Sequence, residues 1–388
     1  MSQIALAKTA TPHDAITAVR TELKARFIER DEVVDGILAA LIAQQHVLLL
    51  GPPGTAKSAI VNAVTASITG ASCFSWLVTK FSTPEELFGP VSLAGLQQDR
   101  FARITAGKLP EAHVGFIDEV FKASSAILNA LLSLANERVF HNDGDAVACP
   151  LVTLVGASNE LPQTDDGLDA LFDRFLLRLD VHYVRDRGAQ VAMLRGTRAQ
   201  AGAAMSLSEL QQATEEAAAI ELSDELLTLL LDIKVKAEEE GFIASDRRWR
   251  AMLDVLRARA WLEGDGAVNE DHVVDVVPDC LWRNPKERPA IAAIVGSVAN
   301  PSAARIVEIV DAAKQVVRDL GPATTANANE RAEWLMNASL AQSQLEEMGA
   351  ELDKLSSKCR GTRIEAAKAT VDGLARDIAS RVAALYRL

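Results

Sequence analysis

The segment from Gly51 to Ser58 carries the strongest chemical signal in this chain. It consists of Gly51, Pro52, Pro53, Gly54, Thr55, Ala56, Lys57 and Ser58. In loops of the type G-x-x-x-x-G-K-[ST], backbone N–H groups surround phosphates, the lysine contacts the β- and γ-phosphates and the serine ligates Mg²⁺. Ala56 stands where the motif has its second glycine. The order of apolar strand, Lys-Ser pair and helix predicts a nucleoside triphosphate site rather than a chance turn with a surface lysine.

Two carboxylates follow a second apolar run. Asp118 and Glu119 come directly after the predicted strand 114–117, and ligands of open α/β sheets bind at the carboxyl ends of the strands. We expect Asp118 to hold Mg²⁺ through water and Glu119 to orient or deprotonate the attacking water. An acidic turn after a strand is common by itself, but a phosphate loop upstream makes the combination specific.

A largely parallel sheet would position these residues. Up to about residue 185, short apolar runs alternate with helical patterns, which is typical of an α/β domain. The predicted strands are 46–50, 73–79, 114–117, 151–156 and 175–181. After Asp186 the pattern becomes helical, so we expect an all-α domain to follow.

Regularly spaced apolar residues mark the C-terminal part of the chain. One stripe runs from Trp334 to Leu355 and a second from Ile364 to Ile378, joined by the short segment 356–362. A third stripe runs from Ile306 to Leu320. Because a short connection favours antiparallel neighbours, the pattern predicts a three-helix bundle or an antiparallel coiled coil.

Composition narrows the classes of function. With 53 acidic and 40 basic residues the formal net charge is −13, which disfavours a protein whose main role is to coat nucleic acid. No apolar run reaches the length of a membrane span, and the N-terminus lacks a signal-peptide core. The widely separated cysteines, Cys73, Cys149, Cys280 and Cys359, fit neither a disulfide framework nor a zinc site. We therefore expect a cytoplasmic protein without a transmembrane segment.

The order of its motifs resembles that of the MoxR family of AAA+ ATPases, most of all its RavA (regulatory ATPase variant) branch. The segments that carry the resemblance are GPPGTAKS (51–58), FSTPEELFGPVSL (81–93), GKLPEAHVGFIDEVFKASSAILNALLSLANERVF (107–140), ASNELP (157–162), LFDRFLLRL (171–179) and SDRRW (245–249). The resemblance implies an α/β AAA+ P-loop core, then an all-α lid and a C-terminal helical bundle. The expected domains are 1–187, 188–290 and 291–388, the last containing an antiparallel helical hairpin.

The resemblance also implies roles for polar residues outside the phosphate loop. Asn159 is similar to sensor 1, which lies between the carboxylates and the attacking water. Arg174 resembles an arginine finger that is presented to a neighbouring subunit, with Arg178 as the alternative. Arg247 resembles sensor 2, with Arg248 as the alternative. The segments 87–93 and 100–107 resemble an insert that faces a ring pore. The Asp-Gly pair within 140–145 predicts a hairpin tip that could also contact the pore, although each segment could be a plain surface loop.

The function implied by the resemblance is an ATP- and Mg²⁺-dependent ring, usually of six subunits, that remodels a protein client. A partner with a von Willebrand factor A domain is expected as a separate protein, because this chain has no Asp-x-Ser-x-Ser metal signature. RavA proteins carry an extra module that cannot fit into the short segment 321–329. The alternatives are a motor or loader acting on nucleic acid, and a scaffold that binds ATP without hydrolysis. The client cannot be read from the sequence.

Overall fold

The computed structural model describes residues 11–161, 169–195, 202–299, 301–323, 328–356 and 362–386. The chain divides into two compact units, Met1–Ala292 and Ala293–Leu388. In the described ranges, no helix is both long enough and apolar enough to cross a membrane.

Nine strands are described in the first unit. They are β1 (His46–Leu50), β2 (Ile68–Thr69), β3 (Cys73–Leu77), β4 (Val114–Asp118), β5 (Val139–Asn142), β6 (Asp145–Ala148), β7 (Thr153–Ser158), β8 (Phe175–Asp180) and β9 (Met205–Ser206). Five of them form a parallel sheet in the order β3-β4-β7-β1-β8. This arrangement confirms the predicted α/β core. All residues of β1 and β7 are buried, as expected for strands covered by helices on both faces.

The register of the sheet brings the ends of three strands to one level. Leu50 of β1 pairs with Ser158 of β7, and Asp118 of β4 pairs with Ala157 of β7. The loop after β1, the acidic residues at the end of β4 and the turn after β7 therefore lie side by side. This edge is where an open parallel sheet binds its ligands.

Thirteen helices are described that begin in the first unit. They are α1 (Pro12–Arg26), α2 (Asp31–Ala43), α3 (Lys57–Ala66), α4 (Pro84–Phe88), α5 (Leu93–Leu96), α6 (Ser125–Glu137), α7 (Asp169–Arg174), α8 (Arg187–Arg195), α9 (Leu207–Ala218), α10 (Asp224–Glu239), α11 (Asp246–Glu263), α12 (Glu270–Leu281) and α13 (Arg288–Ala299). Side-chain caps define several starts: Thr11 and Asp14 form a capping box on α1, and Ser245 caps α11. Such caps satisfy N–H groups that have no partner within the helix.

Several contacts join the helical region after residue 186 to the sheet domain, and two of them involve the helices and strands around the phosphate loop. Strand β9 pairs in parallel with β2. Strand β2 directly follows α3, the helix after the phosphate loop. The buried carboxylate of Asp35 on α2 pairs with Arg20 and Lys24 of α1 and with Arg259 of α11. Strand β9 was not expected from the sequence, because a two-residue strand carries no alternation that could reveal it.

The two segments that resemble pore-facing elements interlock. The backbone N–H of Arg103 donates to Asn142 Oδ1 at 2.7 Å, and Asn142 Nδ2 donates to the Arg103 carbonyl at 3.1 Å. Arg100 and Asp143 form an ion pair at 2.6 Å. Apolar side chains nearby remain exposed, with Leu93 at 78% and Phe101 at 60%. The insert and the β5–β6 hairpin are thus one surface element.

The second unit is a three-helix bundle, as the apolar spacing predicts. Its helices are α14 (Pro301–Leu320), α15 (Ala328–Ser356) and α16 (Thr362–Tyr386). Its core contains the predicted stripes, with Ala338 and Ile378 fully buried. Arg331 near the start of α15 donates to the Leu385 carbonyl near the end of α16, so these two helices run antiparallel. Residues 357–361 of the predicted connection 356–362, and residues 324–327 of the segment 321–329, lie outside the described residues.

Candidate nucleotide-binding site

The phosphate loop joins β1 to α3. Gly51 adopts a φ of 154°, and a Cβ at this position would lie 2.1 Å from the Val181 carbonyl oxygen, so only glycine fits. Ala56 adopts a φ of 68° and immediately precedes α3. This is the left-handed region in which the motif normally places glycine. The loop therefore keeps the glycine-like backbone at Ala56 despite its side chain.

Lys57 lies at the centre of the polar groups at this edge of the sheet. Its Nζ donates to the carbonyls of Gly51 at 2.6 Å and Pro52 at 3.0 Å, and to Asn159 Oδ1 at 3.0 Å. Burial lowers the pKa of Lys57, while the nearby carboxylates of Asp118 and Glu119 raise it. The lysine thus remains within electrostatic reach of both carboxylates.

Asn159 connects the lysine to the second carboxylate. Its Nδ2 donates to Glu119 Oε1 at 2.5 Å, and the other oxygen of Glu119 lies 3.3 Å from Lys122 Nζ. Glu119 itself has a φ of 54°, and its N–H donates to Asp118 Oδ1 at 3.0 Å. Three motifs that are far apart in the sequence therefore meet in one chain of contacts, Lys57–Asn159–Glu119.

The donor set suits a magnesium–nucleotide complex. Ser58 lies in the first turn of α3, so its hydroxyl stands at a helix N-terminus that favours phosphate. Asp118 ends β4 and offers a half-buried carboxylate at the same edge. Hydroxyl and carboxylate oxygens are the ligands that Mg²⁺ prefers, and it commonly keeps several waters beside them. The residues present therefore fit the expected cation.

An apolar cavity adjoins the phosphate loop, and sequence analysis missed it. Its volume is about 400 Å³, and it is bordered on one side by Gly54, Thr55 and Ala56. The rest of its lining comes from Arg26, Phe27, Ile28, Arg30, Tyr183, Val184, Gln190, Met193 and Leu194. A planar base fits such a cavity, since small-molecule sites are mostly apolar with few polar groups. The only sequence signal was the pair Phe27-Ile28 between two helices.

The predicted arginines lie at a second cavity. Arg174 and Arg247 line a space of about 240 Å³ together with Arg138 and Asp173, and phosphate-loop residues are not among its described lining. Arg247 pairs with Asp173 at 3.1 Å. The buried Nε of Arg174 has no hydrogen-bond partner among the described residues. Burial and the charge of Arg247 lower the pKa of Arg174, while Asp173 raises it.

The two alternative arginines have other partners. Arg178 is 2% exposed, stacks 4.0 Å from the Phe172 ring centre and donates to the carbonyls of Phe172 and Trp282. Arg248 is also buried and donates to the Phe175 carbonyl at 2.7 Å. Arg178 is therefore engaged inside the fold, while the buried Arg248 also borders the cavity that Arg174 and Arg247 line.

Comparisons with known proteins show the family to which the chain is similar. A family model described as the MoxR domain in the MoxR-vWA-beta-propeller ternary systems matches residues 14–222, and an AAA lid domain model matches residues 225–295. The chain is 35% identical to an uncharacterized protein of Methanocaldococcus jannaschii, over 78% of this chain and 79% of that protein. It is 26% identical to the chaperone MoxR1 of Mycobacterium tuberculosis, over 67% of this chain and 72% of MoxR1.

A solved structure is similar in fold. The crystal structure of a candidate ATPase from Cytophaga hutchinsonii superposes with a TM-score of 0.61 over 73% of this chain and 94% of that protein, at 18% identity. At this identity the likeness shows the fold alone. The MoxR-domain model covers more than half of the chain, and the lid model continues from it, so this chain belongs to the MoxR family of AAA+ ATPases.

Proposed function

We propose that this chain is a Mg²⁺-dependent ATPase that works as a ring and remodels a protein client in a chaperone-like manner. The observation that carries the proposal is the chain of contacts Lys57–Asn159–Glu119 beside the phosphate loop. A lysine for phosphate, a carboxylate for water and an amide between them are the groups that phosphoryl transfer to water requires.

Within this proposal the first cavity and the phosphate loop bind ATP. The backbone of Gly51, Pro52, Pro53, Gly54, Thr55 and Ala56 surrounds the phosphates and Lys57 contacts them. Ser58 and Asp118 hold Mg²⁺, which neutralises charge on the phosphate oxygens. Glu119 accepts the proton of the attacking water, and Asn159 fixes the orientation of that carboxylate.

Arg174 and Arg247 act on the ATP of a neighbouring subunit. They line a different cavity from the phosphate loop, and the buried Nε of Arg174 lacks a partner among the described residues. A finger arginine contributes on the order of 10³–10⁵ in rate in related systems, so an isolated subunit would hydrolyse ATP slowly. A site completed by a neighbour is a head-to-tail contact that must close into a ring, for which we propose six subunits.

The domain division assigns a role to each part. Residues 1–187 bind the nucleotide, residues 188–290 form a lid that responds to it, and residues 291–388 form a helical bundle available to partners. We place the protein in the cytoplasm. Its net charge of −13 supports a protein client over nucleic acid.

The partner proposed here is a protein with a von Willebrand factor A domain. The matching family model is named for systems that combine a MoxR domain with such a domain and a β-propeller. The name of the mycobacterial relative, a chaperone, supports a remodelling role. Placement in the RavA branch remains a prediction from sequence motifs, and the name of the family model favours the β-propeller arrangement instead.

Two substitutions separate nucleotide binding from hydrolysis. Lys57→Ala removes the phosphate contact and should abolish ATP binding. Glu119→Gln should bind ATP but lose hydrolysis, because Glu119 acts on the attacking water and not on the bound phosphates. Calorimetric titration with ATP and a phosphate-release assay give the two readouts. Turnover by Glu119→Gln at the parental rate would show that another group is the base.

A further inference from the structure

Arg30 connects three backbone segments around the proposed ATP site. This residue is 7% exposed and precedes α2. Its Nε donates to the Thr55 carbonyl in the phosphate loop at 3.3 Å, and its Nη2 donates to the His182 carbonyl at 2.5 Å. Its Nη1 donates to the Glu29 carbonyl at 2.7 Å. Each of the three acceptors bonds to a different nitrogen of the planar guanidinium, whereas a lysine offers only one nitrogen.

Glu29 holds the segment that leads away from the sheet. Residues 181–186 join β8 to α8 and are called the connector below. The two carboxylate oxygens of Glu29 accept the backbone N–H groups of Arg185 and Asp186, each at 2.8 Å. Asp186 in turn caps the start of α8 by accepting the N–H of Ala189. One carboxylate therefore fixes the end of the connector and the beginning of α8.

The backbone of Glu29 is unusual for this residue type. Its φ is 55°, in the left-handed region that non-glycine residues rarely adopt. Left-handed residues of this kind cluster at ligand clamps and switch regions, where surrounding contacts hold them. The bonds from Glu29 and Arg30 to the connector supply such contacts.

The connector and α8 also form part of the apolar cavity. Tyr183 donates its hydroxyl to the Pro53 carbonyl at 3.1 Å, which is a second link between connector and phosphate loop. Gln190, Met193 and Leu194 of α8 line the cavity beside the loop. Any shift of α8 relative to the phosphate loop would therefore change the space available to the adenine base of ATP.

We propose that Glu29 and Arg30 are positioning residues that couple nucleotide binding to the connector and α8. Arg30 holds the phosphate loop and the start of the connector together, and Glu29 sets the position of α8 as the wall of the base cavity. Nucleotide in the cavity then stabilises α8, through which the chain continues into the helical region. This inference rests on the proposed ATP site.

Full-length variants test the coupling with AMP-PNP and Mg²⁺ as the probe. Calorimetry gives the dissociation constant, and hydrogen–deuterium exchange follows the amides of residues 185–195. We expect nucleotide to slow exchange there in the parent protein. Glu29→Gln should bind about tenfold more weakly, as for the loss of a charged hydrogen bond. In that variant, nucleotide should no longer slow exchange in α8, and the thermal unfolding temperature without nucleotide should fall by only a few degrees.

Two further variants complete the design. Glu32→Gln removes an exposed carboxylate from the first turn of α2. This variant should match the parent in AMP-PNP affinity and in the slowing of exchange in α8 by nucleotide. Arg30→Lys should weaken binding about tenfold because the single ammonium cannot hold both Thr55 and His182. Glu29 is exposed, so its variant stays informative even if Arg30→Lys fails to fold.

The outcomes separate this inference from the ATP site itself. If Glu29→Gln matches the parent in AMP-PNP affinity and in protection of α8, the coupling is wrong. The ATP site still stands in that case, provided that the parent binds AMP-PNP and Lys57→Ala does not. If Glu29→Gln binds weakly but nucleotide still slows exchange in α8 as in the parent, Glu29 has a structural role only and the coupling is also overturned. If the parent binds no AMP-PNP, the proposed function fails and the coupling falls with it.

Discussion

At the scale of single residues, the ammonium of Lys57 already has three acceptors. Two are carbonyls of its own loop and the third is the amide oxygen of Asn159. An ammonium has three N–H groups, so a phosphate oxygen must replace at least one of these acceptors. Asn159 is the side-chain partner, and it also holds Glu119. In the proposed ATP complex, displacement of Asn159 from Lys57 would therefore release the amide that holds Glu119.

His46 gives a prediction about pH. Burial lowers the pKa of His46 to about 4, and the charges of Arg138 and Arg174 act in the same direction. Its Nε2 lies 2.9 Å from the Ala135 carbonyl, and its Nδ1 accepts the Leu154 N–H. The neutral ring therefore serves two buried backbone groups.

The sign of the pH effect follows from the lowered pKa. Below about pH 6.5 the unfolded chain binds a proton at His46 that the folded chain does not bind until about pH 4, so stability falls across this window as pH falls. The full difference between the two pKa values of His46 corresponds to a loss of about 3 kcal/mol in the free energy of unfolding. Urea unfolding of the parent should show this loss, and His46→Gln should lack it. Equal pH dependence in both proteins would contradict the prediction.

At the scale of elements, sequence patterns located the central strands closely because those strands are buried on both faces. The predicted strand 46–50 coincides with β1, and 114–117 is extended only by Asp118. The predicted strand 151–156 differs from the observed strand β7, which is Thr153–Ser158. Asn159 therefore directly follows the end of β7. The site residues around the loop could be chosen from sequence because each follows one of these strands.

Features assembled from distant segments could not be predicted. The apolar cavity combines residues of the segment after α1, the phosphate loop, the connector and α8, and of these only the phosphate loop has a motif of its own. The different surroundings of Arg174 and Arg178 could not be predicted from the sequence either. They are four positions apart in the sequence, but Arg174 lies in α7 and Arg178 in the buried strand β8.

These two arginines should differ in their effect on stability. Arg178→Ala removes a buried stacking contact and leaves the Trp282 carbonyl without its donor, so we expect a loss of about 2–4 kcal/mol in the free energy of unfolding. Arg174→Ala removes a half-buried group with an unpartnered Nε and should change stability by less than about 1 kcal/mol. Urea unfolding of both variants measures this. A reversed order would contradict the structural role assigned here to Arg178.

At the scale of the whole molecule, separate cavities for the phosphate loop and for Arg174 predict complementation between defective subunits. Arg174→Ala should bind ATP but hydrolyse it slowly, and mixing it with Lys57→Ala should restore activity. Rescue is expected because the intact ATP site of one subunit then meets the intact Arg174 of the other.

Phosphate release at increasing ratios of the two proteins measures the rescue, and sedimentation shows whether mixed rings form. Lys57→Ala combined with Arg174→Ala in the same chain is the matched control, since it brings no intact arginine and should rescue nothing. Mixed rings without recovered activity would remove Arg174 from the proposed role.

The contacts of Asp35 have a consequence for the order in which the chain folds during synthesis. Arg259 reaches Asp35 across 224 residues of sequence, and Arg20 binds the Leu262 carbonyl across 242. At about 5–20 residues per second, a ribosome needs about 10 to 50 s to make the intervening chain. During that time the apolar faces of α1 and α2 lack the cover of α11, whereas the C-terminal bundle needs only local contacts and can form quickly. The emerging ATPase unit is therefore itself a chain that cellular chaperones would have reason to protect.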